Sequence, residues 1–144
     1  MNSSSRFTDN NNGTITDNKT GLTWTKEDTW QSEAKWVSWD EAKDHIMHLF
    51  QTNYCGNGDW RFPTTEEVLS LYDTDVVNTD KYGSVIHLDP IFPSGCLPTV
   101  WTDGHFSGNE GFILDFRNGE IRSLYKSKSG RMAVRAVYDK SKSN

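Results

Sequence analysis

A chain of 144 residues fits one domain with a single hydrophobic core. Its hydrophobic fraction is 34% and its mean hydropathy -0.73, so no stretch approaches the ~18 apolar residues of a membrane-spanning helix. The formal net charge of -5 conceals an asymmetry: residues 1–116 carry 7 basic against 18 acidic side chains, residues 117–144 carry 8 against 2.

Six Trp, seven Phe and five Tyr compensate for the sparse aliphatic content, because each aromatic buries roughly 150–250 Å². The same aromatics argue against disorder over most of the length. Met1-Asn-Ser-Ser-Ser has neither a basic nor an apolar stretch, so no signal peptide is visible. That leaves retention in the cytoplasm or derivation from a longer exported chain. Residues 1–5 are expected to be disordered, 6–138 to form one domain and 139–144 to be a polar tail.

Gly13-Thr-Ile-Thr-Asp17 and Leu22-Thr-Trp-Thr25 alternate apolar and polar residues about the turn Asn18-Lys-Thr-Gly21, which predicts a β-hairpin. Ile15, Leu22 and Trp24 are its buried side. Asp9–Asp17 resembles a calcium-binding EF-hand loop only superficially. With Gly13 in sixth place, Thr8 falls first and Lys19 twelfth, so both key carboxylates are missing.

Two helices with capping boxes follow. Ser38-Trp-Asp-Glu41 opens the first, whose stripe is Trp39, Ala42, Ile46, Leu49 and Phe50 and whose end falls near Gln51–Tyr54. Thr64-Thr-Glu-Glu67 opens the second, with Val68, Leu69, Leu71 and Tyr72 apolar. Between them, Asp59-Trp-Arg-Phe-Pro63 predicts a core Trp60 with Asp59 or Arg61 tying down buried backbone.

Residues 73–110, with Pro90, Pro93 and Pro98, read as a long irregular segment, packed through Ile86, Leu88, Ile91, Phe92 and Trp101. The end reads as a β-meander. Gly111–Phe116 and Glu120–Tyr125 turn through Asn118-Gly119, and Arg131–Tyr138 is a further alternating strand.

At this point the chain resembles a bacterial domain family typified by the C-terminal domain of the Legionella collagen-like protein. The resemblance rests on Arg6-Phe-Thr-Asp-Asn-Asn-Asn-Gly-Thr-Ile-Thr-Asp-Asn-Lys-Thr-Gly-Leu-Thr-Trp24, Trp39-Asp-Glu-Ala42, Asp59-Trp-Arg-Phe-Pro63, Val100-Trp-Thr-Asp103 and Val134-Arg-Ala-Val137, in that order. It implies an α+β, C-type-lectin-like fold: an antiparallel sheet in which terminal strands pair, two short helices and a long loop region. It also implies frequent export, trimeric or other homo-oligomeric assembly in some members, and adhesion through sulfated glycans. Here the family's Tyr-Trp-Ser-Ser is replaced by Val100-Trp-Thr-Asp103. Ala136 stands where many members have Cys, and no collagen-like repeat is present. The acidic body weakens the carry-over of polyanion binding.

The expected function is a non-catalytic binding or adhesion module for a glycan or cell-surface ligand, the alternative being a protein–protein or structural subunit of a surface or phage fibre. No nucleic-acid partner or membrane insertion is expected. Trp101, Asp103, His105, Asn109 and Glu110 are the preferred ligand-binding set, since an aromatic face stacks on a sugar while Asp, Asn and Glu bond its hydroxyls. An anion-binding face of Arg122, Lys126, Lys128, Arg131 and Arg135 is the alternative.

No cofactor is expected, and the calcium tripeptides of sugar-binding lectins are missing. Asp73, Asp75 and Asp80, with Asn78 between, are the weak metal candidates. His45 and His48 share a helix face without a third ligand, and His87 is isolated. Cys55 and Cys96 permit one disulfide. No nucleophile elbow, P-loop or dinucleotide fingerprint occurs. The formylglycine-generating enzymes, of related fold, depend on late cysteines, and this chain has none after Cys96.

Overall fold

The computed structural model describes residues 6–105 and 108–139, apart from the side chain of His105. The segments expected to be a disordered start (1–5) and the tail beyond Asp139 lie outside the described residues.

Near the N-terminus, β1 (Phe7–Asp9), β2 (Thr14–Asp17) and β3 (Leu22–Thr25) form an antiparallel ladder, joined across β3 by the last strand, β10 (Val137–Asp139). Val137 lies opposite Trp24, and Trp24 opposite Ile15. The chain thus begins and ends in one sheet. Asp139, expected to open the polar tail, is the last residue of β10.

Two of the three helices carry the predicted caps. Ser38 and Glu41 exchange the capping-box bonds at the start of α2 (Trp39–Gln51), and Thr64 and Glu67 do so for α3 (Thr65–Leu69). A third helix, α1 (Thr29–Glu33), precedes them and was not predicted. Its cap is Asp28, whose Oδ1 accepts from the Gln31 amide while Oδ2 accepts from the Leu97 amide, each within 2.9 Å. One carboxylate thereby fixes a five-residue helix and a distant loop.

The segment read as irregular holds three strands: β4 (Asn78–Thr79), β5 (Val85–Ile86) and β6 (Thr99–His105). β6 is central to the second sheet, ordered β8-β7-β6-β9 with β7 (Glu110–Asp115), β8 (Glu120–Tyr125) and β9 (Met132–Ala133). Val100 and Leu114 pack into the core beneath the first sheet, alongside Trp24, Phe92 and Phe116. Trp101 and Ile113 face the other way, into a second core with Trp39, Ile46 and Trp60. Both faces are covered, so Thr99–Thr102 is buried without interruption and shows no polar alternation.

Arg131–Tyr138 is extended but is not one strand. Met132 and Ala133 pair parallel to β6, whereas Val137–Asp139 pairs with β3. Between them the carbonyls of Val134 and Ala136 accept from the amides of Thr29 and Thr25. The alternation survives: Met132, Val134 and Ala136 belong to the second core, Ala133 and Val137 to the first.

The β7–β8 turn requires glycine at position 119, where φ is +77° and an added Cβ would sit 2.7 Å from Cε2 of Tyr72. Gly119→Ala should therefore cost about 1–3 kcal/mol, read as a lower urea midpoint. An unchanged midpoint would mean that the turn relaxes freely.

Of the carboxylates held below their usual range, three are buried or half-buried. Burial raises each, but pairing outweighs it: Asp17 with Arg6 at 2.8 Å, Glu67 with Arg61 at 2.7 Å, Asp115 with Arg117 at 2.8 Å. A lowered folded-state pKa gives stability that is present above the unfolded-state value and lost as pH falls through the lowered one. Burial holds Asp28 up instead, so its protonation opposes part of that loss. The melting temperature should therefore fall between pH 6 and pH 3, and fall less in Asp17→Asn. A flat or rising profile would contradict these pairings.

Candidate ligand-binding site

The five residues of the preferred ligand set do not converge. Trp101 is fully buried on β6, and its indole Nε1 donates to the Val37 carbonyl at 3.0 Å. It offers no face to a sugar, which corrects the expectation that it leads a recognition loop. Asp103 is exposed two residues on, beside Arg61 and Phe62 in a groove along α2. His105 ends β6, its side chain outside the described residues. Asn109 and Glu110 lie at the start of β7, at the same end of the sheet as Asp103, but Asn109 lines a different cleft.

The basic alternative is also broken up. Arg135 is 3% exposed, and its Nη1 donates to the carbonyls of Thr25 and Lys26 at 3.2 and 2.5 Å. Its guanidinium lies 4.9 Å from the Phe92 ring centroid. Arg122 is paired with Asp115 and Glu120, at 3.2 and 2.8 Å. Arg131 sits over Tyr82 and Lys126 over Trp39, leaving exposed Lys128 without a continuous cationic neighbourhood. The single basic face is therefore corrected: its residues serve different parts of the fold.

The acidic cluster serves turns. Asp73 Oδ1 accepts from the Asp75 amide at 2.9 Å, and buried Asp80 accepts from the amides of Tyr82 and Ser84 at 2.8 and 2.9 Å. Among the described residues, no group of three or more His, Cys, Asp or Glu is placed to hold a metal ion. His45 Nδ1 lies 3.6 Å from Glu33, and burial pushes its pKa down. Nδ1 of His87 meets the Val76 carbonyl at 2.9 Å.

Cys55 and Cys96, whose number permits one disulfide, are both free thiols. Cys55 donates to the Asn12 carbonyl at 2.9 Å, whereas Cys96 is buried in the first core. Burial pushes both thiols up, away from the reactive thiolate form. Among the described residues no helix is long and apolar enough to cross a membrane.

Two clefts flank Trp39. One is the α2 groove, about 550 Å³, walled by Ile46, Met47, Phe50 and Phe62, with Lys43, Arg61 and Asp103 on its rim. The other is a polar shelf of about 790 Å³ between the α2 N-terminus and the far ends of β7 and β8, lined by Asp40, Glu41, Asn109, Tyr125, Lys126 and serines.

The shelf is built by a chain of backbone bonds. The Lys126 amide donates to the Asn109 carbonyl at 2.8 Å, and the Trp39 amide donates to the Lys126 carbonyl at 3.0 Å. Trp39 Nε1 donates to the Thr102 carbonyl at 3.0 Å, locking the helix start onto β6. The Lys126 ammonium lies 4.1 Å above the Trp39 ring. Tyr125, at the end of β8, is 67% exposed and presents a ring beside hydroxyl, amide and carboxylate groups. Asn109 and Lys126, drawn from the two rival predicted sets, meet here. Tyr125 and Asp40 were missed; the signal for Tyr125 was its place at the end of a strand with no fully buried residue.

An α+β domain with paired terminal strands, short capped helices and a second sheet carrying open clefts at its rim is C-type-lectin-like. The chain belongs to the Lcl C-terminal domain family, whose pattern matches residues 13–138. A comparison with curated proteins found no match.

Proposed function

We propose that this domain is a non-catalytic binding or adhesion module that takes a glycan of a cell surface on the Asp40–Asn109–Tyr125–Lys126 shelf. The observation that carries the reading is the exposed Tyr125 ring set among polar side chains in one cleft. An aromatic face packs on the C–H face of a pyranose, while carboxylate, amide and hydroxyl groups bond its hydroxyls. Asp103 and Glu110 flank this arrangement without sharing the cleft.

On a glycan array the domain should give at least one hit, and Tyr125→Ala should weaken it ten-fold or more without moving the melting temperature. A hit indifferent to Tyr125→Ala would remove the shelf from the account.

A second reading has its own support. Met47 and Phe50 are 47% and 50% exposed on α2, at the mouth of an apolar groove of ligand-pocket size. Such a surface suits a protein contact, as in a surface-fibre or structural subunit. A silent array together with one stoichiometric protein partner, lost on Phe50→Ser, would favour it.

A further inference from the structure

We infer that the shelf selects uncharged sugars over sulfated or uronate-bearing ones, an inference that rests on the glycan reading above. Among the described residues, three charged side chains line the shelf: Asp40, Glu41 and Lys126. Two are carboxylates, so an anionic substituent enters against net negative charge.

The one cation among the described lining residues does not reverse this balance. The Lys126 ammonium is held 4.1 Å above the Trp39 ring, where the ring quadrupole already satisfies part of its charge. Lys128 is exposed nearby in sequence but does not line the shelf.

The other feature that attracts anions is the N-terminus of α2, a 13-residue helix whose first turn opens beside the shelf. That site is closed by the chain itself. Ser38 Oγ accepts from the Glu41 amide at 3.2 Å, and Glu41 Oε1 accepts from the Ser38 amide at 2.8 Å. The Glu41 carboxylate therefore occupies the place a sulfate would take.

What remains suits neutral hydroxyls. A carboxylate such as Asp40 accepts from two adjacent sugar hydroxyls at once, whereas a sulfate offers it only acceptors. Ser127 and Ser129 both donate and accept, and the Tyr125 ring supplies a platform indifferent to charge. The chain's net charge of -5 adds long-range repulsion of polyanions at low salt.

The test is an array and titration with three panels: neutral hexose and N-acetylhexosamine oligosaccharides, uronate-bearing ones, and sulfated ones. Binding should be confined to the neutral panel, change less than two-fold between 50 and 300 mM salt, and fall at least ten-fold in Asp40→Asn. Asp40→Arg should lose neutral ligands and gain salt-sensitive sulfated ones. Circular dichroism spectra of both variants should match the parent, the Asp40→Arg melt falling only by the small cost of a cation in the first turn of α2.

Equal or preferred binding of the sulfated panel, weakening with salt, would overturn the selectivity while leaving glycan recognition intact. Silence on all three panels would overturn the glycan reading, and the inference with it.

Discussion

Replacing Arg135 by methionine is expected to cost about 3–5 kcal/mol, seen as a large drop in the urea midpoint with little change in slope. The guanidinium bonds the carbonyls of Thr25 and Lys26 where β3 leaves its sheet, and its positive charge acts on buried Asp28 against the effect of burial. Methionine fills similar volume but leaves both carbonyls unpaired and the capping carboxylate of α1 without its counter-charge. Nη2 finds no partner among the described residues, so the site is not fully satisfied, which favours the lower end of the range. A variant with the parent's midpoint would return Arg135 to the surface, and with it the continuous basic face.

Trp101→Ala should be comparably severe, about 3–5 kcal/mol, because it empties a large volume in the second core. The indole is fully buried and closes the Val37 carbonyl, and Trp39 and Trp101 both press on Gly111, which has no side chain to separate them. Because β6 joins both cores, the loss should appear as a single cooperative shift of far-ultraviolet and tryptophan signals. Tyr125→Ala should stay within about 0.5 kcal/mol of the parent. The opposite pattern, a folded Trp101→Ala that merely stops binding, would restore Trp101 as a recognition platform.

The parts of the fold legible in the sequence are those set by local chemistry. Ser38–Glu41 and Thr64–Glu67 mark helix starts because reciprocal bonds require those residues three apart. Asn118-Gly119 marks the β7–β8 turn because the backbone there needs positive φ. β6 was missed because a strand buried on both faces has no alternation to read, and three prolines upstream of it made the stretch look irregular. α1 was missed because five residues carry no apolar stripe, although Asp28-Thr-Trp-Gln31 is itself a capping pattern.

The site was less legible, since it depends on partners far apart in the chain. Alternation in Arg131–Tyr138 was read, but not that its first residues pair with β6 and its last with β3. Nor could alternation reveal that Arg135 points at stranded carbonyls rather than solvent. Asn109 and Lys126 belonged to rival candidate surfaces, although the predicted β7–β8 hairpin already sets Glu110 opposite Tyr125; the part not legible was Trp39 docked on the Lys126 carbonyl.

The account stands or falls on where a ligand touches. Backbone amide shifts of the labelled domain, followed during titration with the strongest array hit, measure this directly. The perturbed amides should cluster at Asp40, Asn109, Tyr125, Lys126 and Ser127. Perturbation centred on Met47, Phe50 and Phe62, with the shelf amides unmoved, would contradict the placement and make the α2 groove the operative surface.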